Sequence, residues 1–525
     1  MSRRIMMTLL SALALLSPFA LYAQEARRPS AENSRPNALD KNRGAEISRL
    51  TVSRDDGSPG PSKPVFPPNP EAERARQRLL ASFAGNRLPH SDGHRSPNIL
   101  LILVDDIGYG DTGIYGSEAI PTPHIDDLAK KGARWSNAYV TAASCSPSRA
   151  GLLTGRYQQR FGFEFNMGGS VPTHRQHRGL DLTAITMADV LKNAGYVTGI
   201  FGKWHLGTRE QFHPQSRGFT EFYGFLAGEH SYLPHASKEP VRKTLLRGHT
   251  PLAEPEYLTD AIAREAVNFI AAHHGERFFA YVSFNAVHTP IQAPKKYQER
   301  FPDVTDAKRR DYYAMTSALD DAIGAMVAAL AEHGLTNDTL VIFLNDNGGP
   351  LYTGVQSNAP LRMGKLFLFE GGVRVPMIMK WPGVVTPGSV FAGVTSSLDI
   401  FPTVCAAAGI KVPKEVELDG VDLVPFLLGK VEGSPHETLF WSNGPNMAVR
   451  KGDWKLIKSH DNVWLFDLSR DIGEKNNLAK NRPEMVKELE QELQQWKSQM
   501  AKPAWPSSPD PSKVLIDGMN YEVNT

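Results

Sequence analysis

The chain has 525 residues, 41% hydrophobic and 22% charged, with a formal net charge of +2 at pH 7. That composition is ordinary for a soluble globular protein with a sizeable core, and its balanced charge leaves no nucleic-acid footprint. Two cysteines cannot build a disulfide framework, and the length suits one large domain plus a smaller one.

Residues 1–23 read as a signal peptide. Arg3 and Arg4 form a basic start, Ile5 to Leu16 is an apolar run too short to span a bilayer comfortably, and Ala23 is a cleavage site. This predicts an extracytoplasmic chain, periplasmic or secreted. No cysteine lies near Ala23 and no other segment reads as a membrane span, so no stable membrane anchor is expected. Residues 24–95 are rich in Pro, Ser, Asn, Arg and Glu and read as a disordered extension or linker, with one short helix from Glu71 to Ala84.

Order begins at Asn98. Ile99 to Val104 is a continuous apolar run, as a strand buried on both faces requires, and it ends abruptly in Asp105-Asp106. The design recurs. Val197 to Phe201 runs into Gly202-Lys203-Trp204-His205, Phe278 to Phe284 leads to His288, and Leu340 to Leu344 runs into Asn345-Asp346-Asn347-Gly348. Helical segments such as Thr186–Ala194 and Ala314–His333 lie between the strands. The pattern predicts an α/β fold with a mostly parallel sheet and polar groups gathered at the carboxyl ends of its strands, where open α/β sheets place their sites.

From about Leu398 the character changes. Met447–Arg450, Trp454–Lys458 and Val463–Leu468 read as short strands, with Lys451-Gly452-Asp453 as a turn in which Gly452 is free to take positive φ. Pro483 opens a helix with Met485, Val486, Leu489, Leu493 and Trp496 on one face. A small antiparallel sheet with a packed helix is expected.

Asp105, Asp106, Asp346 and Asn347 offer hard oxygen ligands. Three carboxylates and an amide suit Ca²⁺, or Mg²⁺, rather than zinc. Cys405 lies in an apolar run and reads as a small buried hydrophobe. Cys145 is different: small polar residues, Pro147 and Arg149 surround it. Pro147 suits the first turn of a helix. Cys145 then lies at the helix N-terminus, where free N–H groups favour an anion.

The stretch Cys145-Ser146-Pro147-Ser148-Arg149, followed by Thr154-Gly155-Arg156, resembles the signature of the formylglycine-dependent sulfatases, with both halves present. Gly202–Gly207, Leu361–Lys365 with Glu370–Pro376, Trp464–Leu468 and Glu474–Leu478 also resemble motifs of that family, so the resemblance runs from Asn98 to Ala479. It implies an alkaline-phosphatase-like α/β sandwich, with residues 96–400 as the catalytic domain and residues 401–525 as a C-terminal subdomain. It implies hydrolysis of a sulfate ester, carried by a sulfated carbohydrate or a small aryl or alkyl sulfate. In the family the cysteine is oxidised after translation to Cα-formylglycine by a maturation enzyme. Its hydrate attacks sulfur with one hydroxyl and expels sulfate with the other. Arg149, Lys203 and Lys365 are then anion-binding cations, His205 assists the diol, and His288 protonates the leaving alcohol. The residues at the four acidic and amide positions bind a divalent ion, usually calcium. One departure stands out: the family often has glycine after the lysine, and this chain has Leu366. His174, His177, His230 and His235 lie in loops that could reach substrate. The competing readings are a phosphonate or phosphate ester hydrolase of the same fold and a non-catalytic sulfated-glycan binding protein.

Overall fold

The strand expected after residue 97 is β1 (Asn98–Val104), and every one of its residues is buried. Ile99, Leu101 and Leu103 enter one core, while Leu100, Ile102 and Val104 enter another. A strand covered on both faces needs apolar side chains at both parities, so its sequence reads as unbroken rather than alternating. The computed structural model describes residues 70–83, 96–168, 178–234, 244–507 and 511–524. The expected signal peptide, His174, His177 and His235 lie outside the described residues.

Among the described residues, nine further strands join β1 in the main sheet. They are β2 (Ala133–Trp135), β3 (Val197–Lys203), β4 (Glu221–Phe225), β5 (Leu245–Arg247), β6 (Thr250–Leu252), β7 (Phe278–Ser283), β8 (Thr339–Asn345), β9 (Met377–Lys380) and β10 (Ser389–Phe391). Their order is β10-β2-β9-β8-β1-β7-β3-β4-β5-β6. The central strands β8, β1, β7, β3 and β4 are parallel, with Leu101 opposite both Ile342 and Tyr281. Antiparallel pairing appears toward the edges, at β9 against β8 and at β5 and β6. A parallel centre brings all five carboxyl ends out on one side, which is what gathers the site.

Helices Cys145–Thr154, Met187–Asn193 and Ile400–Ala407 pack into the core on one face of the sheet. Leu258–Ala272 and Ala307–Glu332 cover the other. This is the mostly parallel α/β sandwich expected from the sequence. Ala307–Glu332 does contain an 18-residue window with the length and apolarity of a membrane span, mean hydropathy 1.3, which the sequence reading passed over. Its apolar residues are used internally instead: Tyr312, Met315, Leu319, Ile323 and Met326 are all in the core.

The short helix expected from Glu71 to Ala84 within residues 24–95 is present as Pro70–Phe83, and it is docked. Leu80 and Phe83 enter the core, and the buried Arg76 donates to Asp189 at 3.1 Å and to Ser216 O at 3.0 Å. The boundary placed between residues 400 and 401 falls at the start of helix Ile400–Ala407, which belongs to the large core.

The small antiparallel sheet follows. It is β11 (Thr438–Asn443), β12 (Asn446–Lys451), β13 (Trp454–Ser459) and β14 (Asn462–Asp467). The last three are the expected strands; β11 is additional. Gly452 takes φ 55° in the turn, as its freedom allows. Helix Pro483–Ser498 lays Leu489, Leu493 and Trp496 against Val449, Leu456 and Leu465 on one face. The other face meets Phe367, Phe369 and a hairpin that the sequence reading missed, β15 (Ser512–Ile516) and β16 (Met519–Val523).

Candidate active site

All ten candidate residues lie at the carboxyl side of the parallel strands or on the loops and helix beside them, and nine are buried; His288 is the exception, with a side chain 12% exposed. Side chains on successive strand residues point to opposite faces, so Asp105 and Asp106 should diverge. They do not, because Asp106 adopts φ 64°, a left-handed turn that Asp tolerates. Ligand atoms of Asp105, Asp106, Cys145 and His288 therefore all lie within 4.8 Å of one another. Gly202 makes a second close approach possible: a Cβ there would sit 2.1 Å from Ser283 O of the neighbouring strand.

Cys145 is the first residue of helix Cys145–Thr154, as its surroundings predicted, and Ser144 precedes it in extended conformation. The helix ends at Gly155, whose φ of 64° suits a left-handed cap. Cys145 Sγ lies 3.6 Å from Asp105 Oδ1 and is 1% exposed. Burial pushes its thiol up to about 12, against the pull of Lys203 and Lys365. As a thiol it is protonated near neutral pH and a poor nucleophile, since the thiolate is the reactive form.

The three cations each meet a carboxylate. Lys203 Nζ is 2.5 Å from Asp105 Oδ2, and Lys365 Nζ is 2.8 Å from Asp106 Oδ2. Arg149 donates from Nε and Nη2 to Asp346 Oδ2 at 2.9 and 2.8 Å, and from Nη1 to Ser283 Oγ at 2.5 Å. Its guanidinium is fully buried with a protein partner at each nitrogen. Arg149 thus grips Asp346 through two of its nitrogens. Burial opposes ionisation of Asp105, yet Lys203, then His288 and Arg149, outweigh it and hold that carboxyl below the ordinary range. Burial and the neighbouring Asp105 charge push Asp346 upward.

Among the described residues, two buried oxygens in this cluster have no hydrogen-bond partner, Asp346 Oδ1 and Asn347 Oδ1. Leaving such atoms dry and unpaired costs about 1–3 kcal/mol each. Together with Asp105 and Asp106 they form the hard-oxygen donor set that fits a divalent cation such as Ca²⁺.

The histidines differ. His205 Nε2 lies 2.6 Å from Met167 O, a carbonyl that can only accept, so Nε2 carries the hydrogen and Nδ1 keeps its lone pair. Among the described residues Nδ1 is buried without a partner. Burial, then Lys203, holds His205 well below the ordinary histidine range, so it is neutral. His288 Nδ1 donates to Thr289 O at 2.7 Å, which leaves Nε2 3.6 Å from Asp106 Oδ2. Burial, then Lys365, lowers His288 as well.

Lys365 sits on a loop whose next residue, Leu366, adopts φ 77° and donates its N–H to Ala143 O at 2.7 Å. Glycine takes this conformation freely; leucine is held there at a cost of roughly 1–2 kcal/mol. The sequence reading missed Ser283, which accepts from Arg149 and donates to Lys203 O at 2.7 Å. Its signal was available, because it is the last residue of a strand already expected to end at the site. It also missed Asn166, whose Oδ1 accepts from Ser146 N and Oγ at 3.0 and 2.8 Å beside Cys145. His230 is bonded through Nδ1 to Ser231 O at 2.6 Å and is not among the clustered residues.

Residues 97–410 match the family model Sulfatase, and residues 362–499 match N-sulphoglucosamine sulphohydrolase, C-terminal. The chain is 36% identical to arylsulfatase A of Bos taurus over 452 residues, covering 76% of this chain and 86% of that protein. It is 33% identical to N-acetylgalactosamine-6-sulfatase of Rattus norvegicus over 416 residues, covering 75% and 77%. Among solved structures, Ps i-CgsB in complex with k-i-k-neocarrahexaose superposes with a TM-score of 0.74 at 37% identity, covering 78% of this chain and 95% of that one.

Proposed function

Because the chain belongs to the sulfatase family, it is a sulfuric ester hydrolase, and we propose that it removes sulfate from a sulfated carbohydrate at the cluster around residue 145. The observation that carries this is the meeting of Cys145, three cations, three carboxylates and the Asn347 amide in one buried site at the strand ends. Sulfated carbohydrate is favoured as substrate because the relatives include an N-acetylgalactosamine-6-sulfatase and a structure holding a neocarrahexaose. The family also favours sulfate esters over phosphonates, and hydrolysis over mere glycan binding.

Residue 145, oxidised to Cα-formylglycine by a maturation enzyme and hydrated, would supply one hydroxyl to attack sulfur and a second to expel sulfate on return to the aldehyde. A divalent ion, Ca²⁺ or Mg²⁺, held by Asp105, Asp106, Asp346 and Asn347, would polarise the sulfate oxygens. The remaining work falls to the chain's own side chains. Lys203 and Lys365 hold sulfate oxygens. Arg149 fixes Asp346 and so orients the Asp346–Asn347 pair. His205, neutral with its Nδ1 lone pair free, accepts a proton from a hydroxyl at residue 145. His288 delivers a proton from Nε2 to the departing oxygen when it is in its imidazolium form, with Nδ1–H held by Thr289 O. The basic and apolar start at Arg3 to Leu16 supports an extracytoplasmic location.

The test is sulfate release from a sulfated oligosaccharide by the full chain and by Cys145→Ala, with mass spectrometry of the peptide spanning residue 145. An aldehyde at 145, and a variant that keeps its Tm but loses turnover, are expected. Substantial turnover by Cys145→Ala would sink the mechanism.

A further inference from the structure

The loop that carries Lys365 is closed on itself and clasped from outside. Gly371 N–H donates to Arg362 O at 2.7 Å, which ties the two ends together. On the inner side, Lys365 N–H reaches Gly349 O at 3.2 Å and Leu366 N–H reaches Ala143 O. The outer anchors come from the C-terminal part of the chain. The Arg362 guanidinium donates to Glu474 O at 2.5 Å and to both Asp517 carboxylate oxygens at 2.7 and 3.0 Å. Leu368 N–H donates to Tyr521 Oη at 3.1 Å, and Glu370 N–H to Glu474 Oε2 at 2.7 Å. Lys455 bridges the Glu370 and Glu474 carboxylates at 2.8 and 3.1 Å, with all three side chains fully buried. Asp517 and Gly518 form the turn between β15 and β16 with φ of 52° and 77°. Positive φ at both central residues marks a tight hairpin turn, and this one places the Asp517 carboxylate on Arg362.

We propose that Asp517 and Glu474 are positioning residues for sulfate hydrolysis, acting through Arg362 and Glu370 to fix where Lys365 Nζ stands. The proposal rests on the reading of Lys365 as a sulfate-binding cation. A lysine stem has four rotatable bonds, and among the described residues the ion pair that Lys365 makes is with Asp106. The placement of its ammonium therefore depends on where the loop backbone is held. A displacement of about 1 Å in a catalytic site can cost about 10²-fold. Neither Asp517 nor Glu474 needs to touch substrate to matter.

The experiment uses the full, matured chain and 4-nitrophenyl sulfate, with kcat, KM and Tm measured separately. Asp517→Asn keeps the turn and removes the charge at a partly exposed position. It should raise KM by about three- to tenfold, within the range of couplings between neighbouring residues, with a smaller change in kcat and little change in Tm. Glu474→Gln, which keeps an acceptor for Glu370 N–H, should also shift KM more than kcat. In a Lys365→Ala background, Asp517→Asn should have no further effect on KM. An unchanged KM in the single variant, or an equal fold loss in the Lys365→Ala background, would overturn the positioning role. If Lys365→Ala itself leaves KM unchanged, the sulfate-binding reading of Lys365 fails first and takes the proposal with it.

Discussion

His288 turns Nε2 toward the acidic cluster because its Nδ1–H is spent on Thr289 O. A group so oriented would matter most when the leaving oxygen is strongly basic. An alkoxide leaves poorly unless protonated, whereas a phenolate with electron-withdrawing groups leaves unaided. His288→Ala should therefore slow hydrolysis of a sugar sulfate by about 10²–10⁴-fold, the usual contribution of a general acid, and an activated aryl sulfate far less. Equal losses in kcat/KM on both substrates would mean that His288 binds sulfate or supports the fold. At this scale the sequence was informative wherever a residue ended a strand. Asp105, Lys203 and Asp346 are placed by buried runs that can be read directly. It was silent on what spends a side chain. Nothing in the sequence around Arg149 says that its donors go to Asp346 and Ser283, which lie 197 and 134 residues away.

One level up, helix Pro70–Phe83 was legible as a short helix, but its docking was not. Its local composition is polar and proline-flanked, and it docks through Leu80, Phe83 and an Arg76–Asp189 pair separated by 113 residues. Burial of a few side chains, rather than any run of hydrophobicity, orders it. A chain beginning at Arg95 should hydrolyse a sulfate ester about as fast as the longer one, because the helix contacts Met187–Asn193 and residue 216 rather than the cluster. Its Tm should fall by a few degrees, as loss of roughly 1–2 kcal/mol of packing implies. An unchanged Tm would mean that the helix is not docked in solution, and a large loss of activity in a folded truncation would mean that the extension reaches the site. The three strands read after Met447 were legible because alternation and a Gly turn mark them. β11 and the β15–β16 hairpin were not, since a strand such as β15, with exposed Leu515 and little burial, carries its signal in the partner it covers.

Across the whole molecule, three carboxylates and three cations are concentrated in one dry site. The cations already balance the carboxylates, so loss of a bound ion should leave a folded protein. Chelation should abolish turnover and lower Tm, and added Ca²⁺ should restore both, with about 2.7 kcal/mol of stabilisation at a hundredfold excess over Kd. Asp346→Asn should blunt the Tm response, and elemental analysis should find about one calcium or magnesium per chain. Stoichiometric zinc without calcium would count against the site. The clasp around Lys365 carries a further consequence, for biosynthesis. A ribosome delivers Asp105, Cys145 and Lys203 first and the turn at Asp517 after all of them. The main sheet can close before the β15–β16 hairpin has emerged from the ribosome, but the Lys365 loop then lacks its outer fastening. On this reading the sheet is folded before the position of Lys365 is fixed.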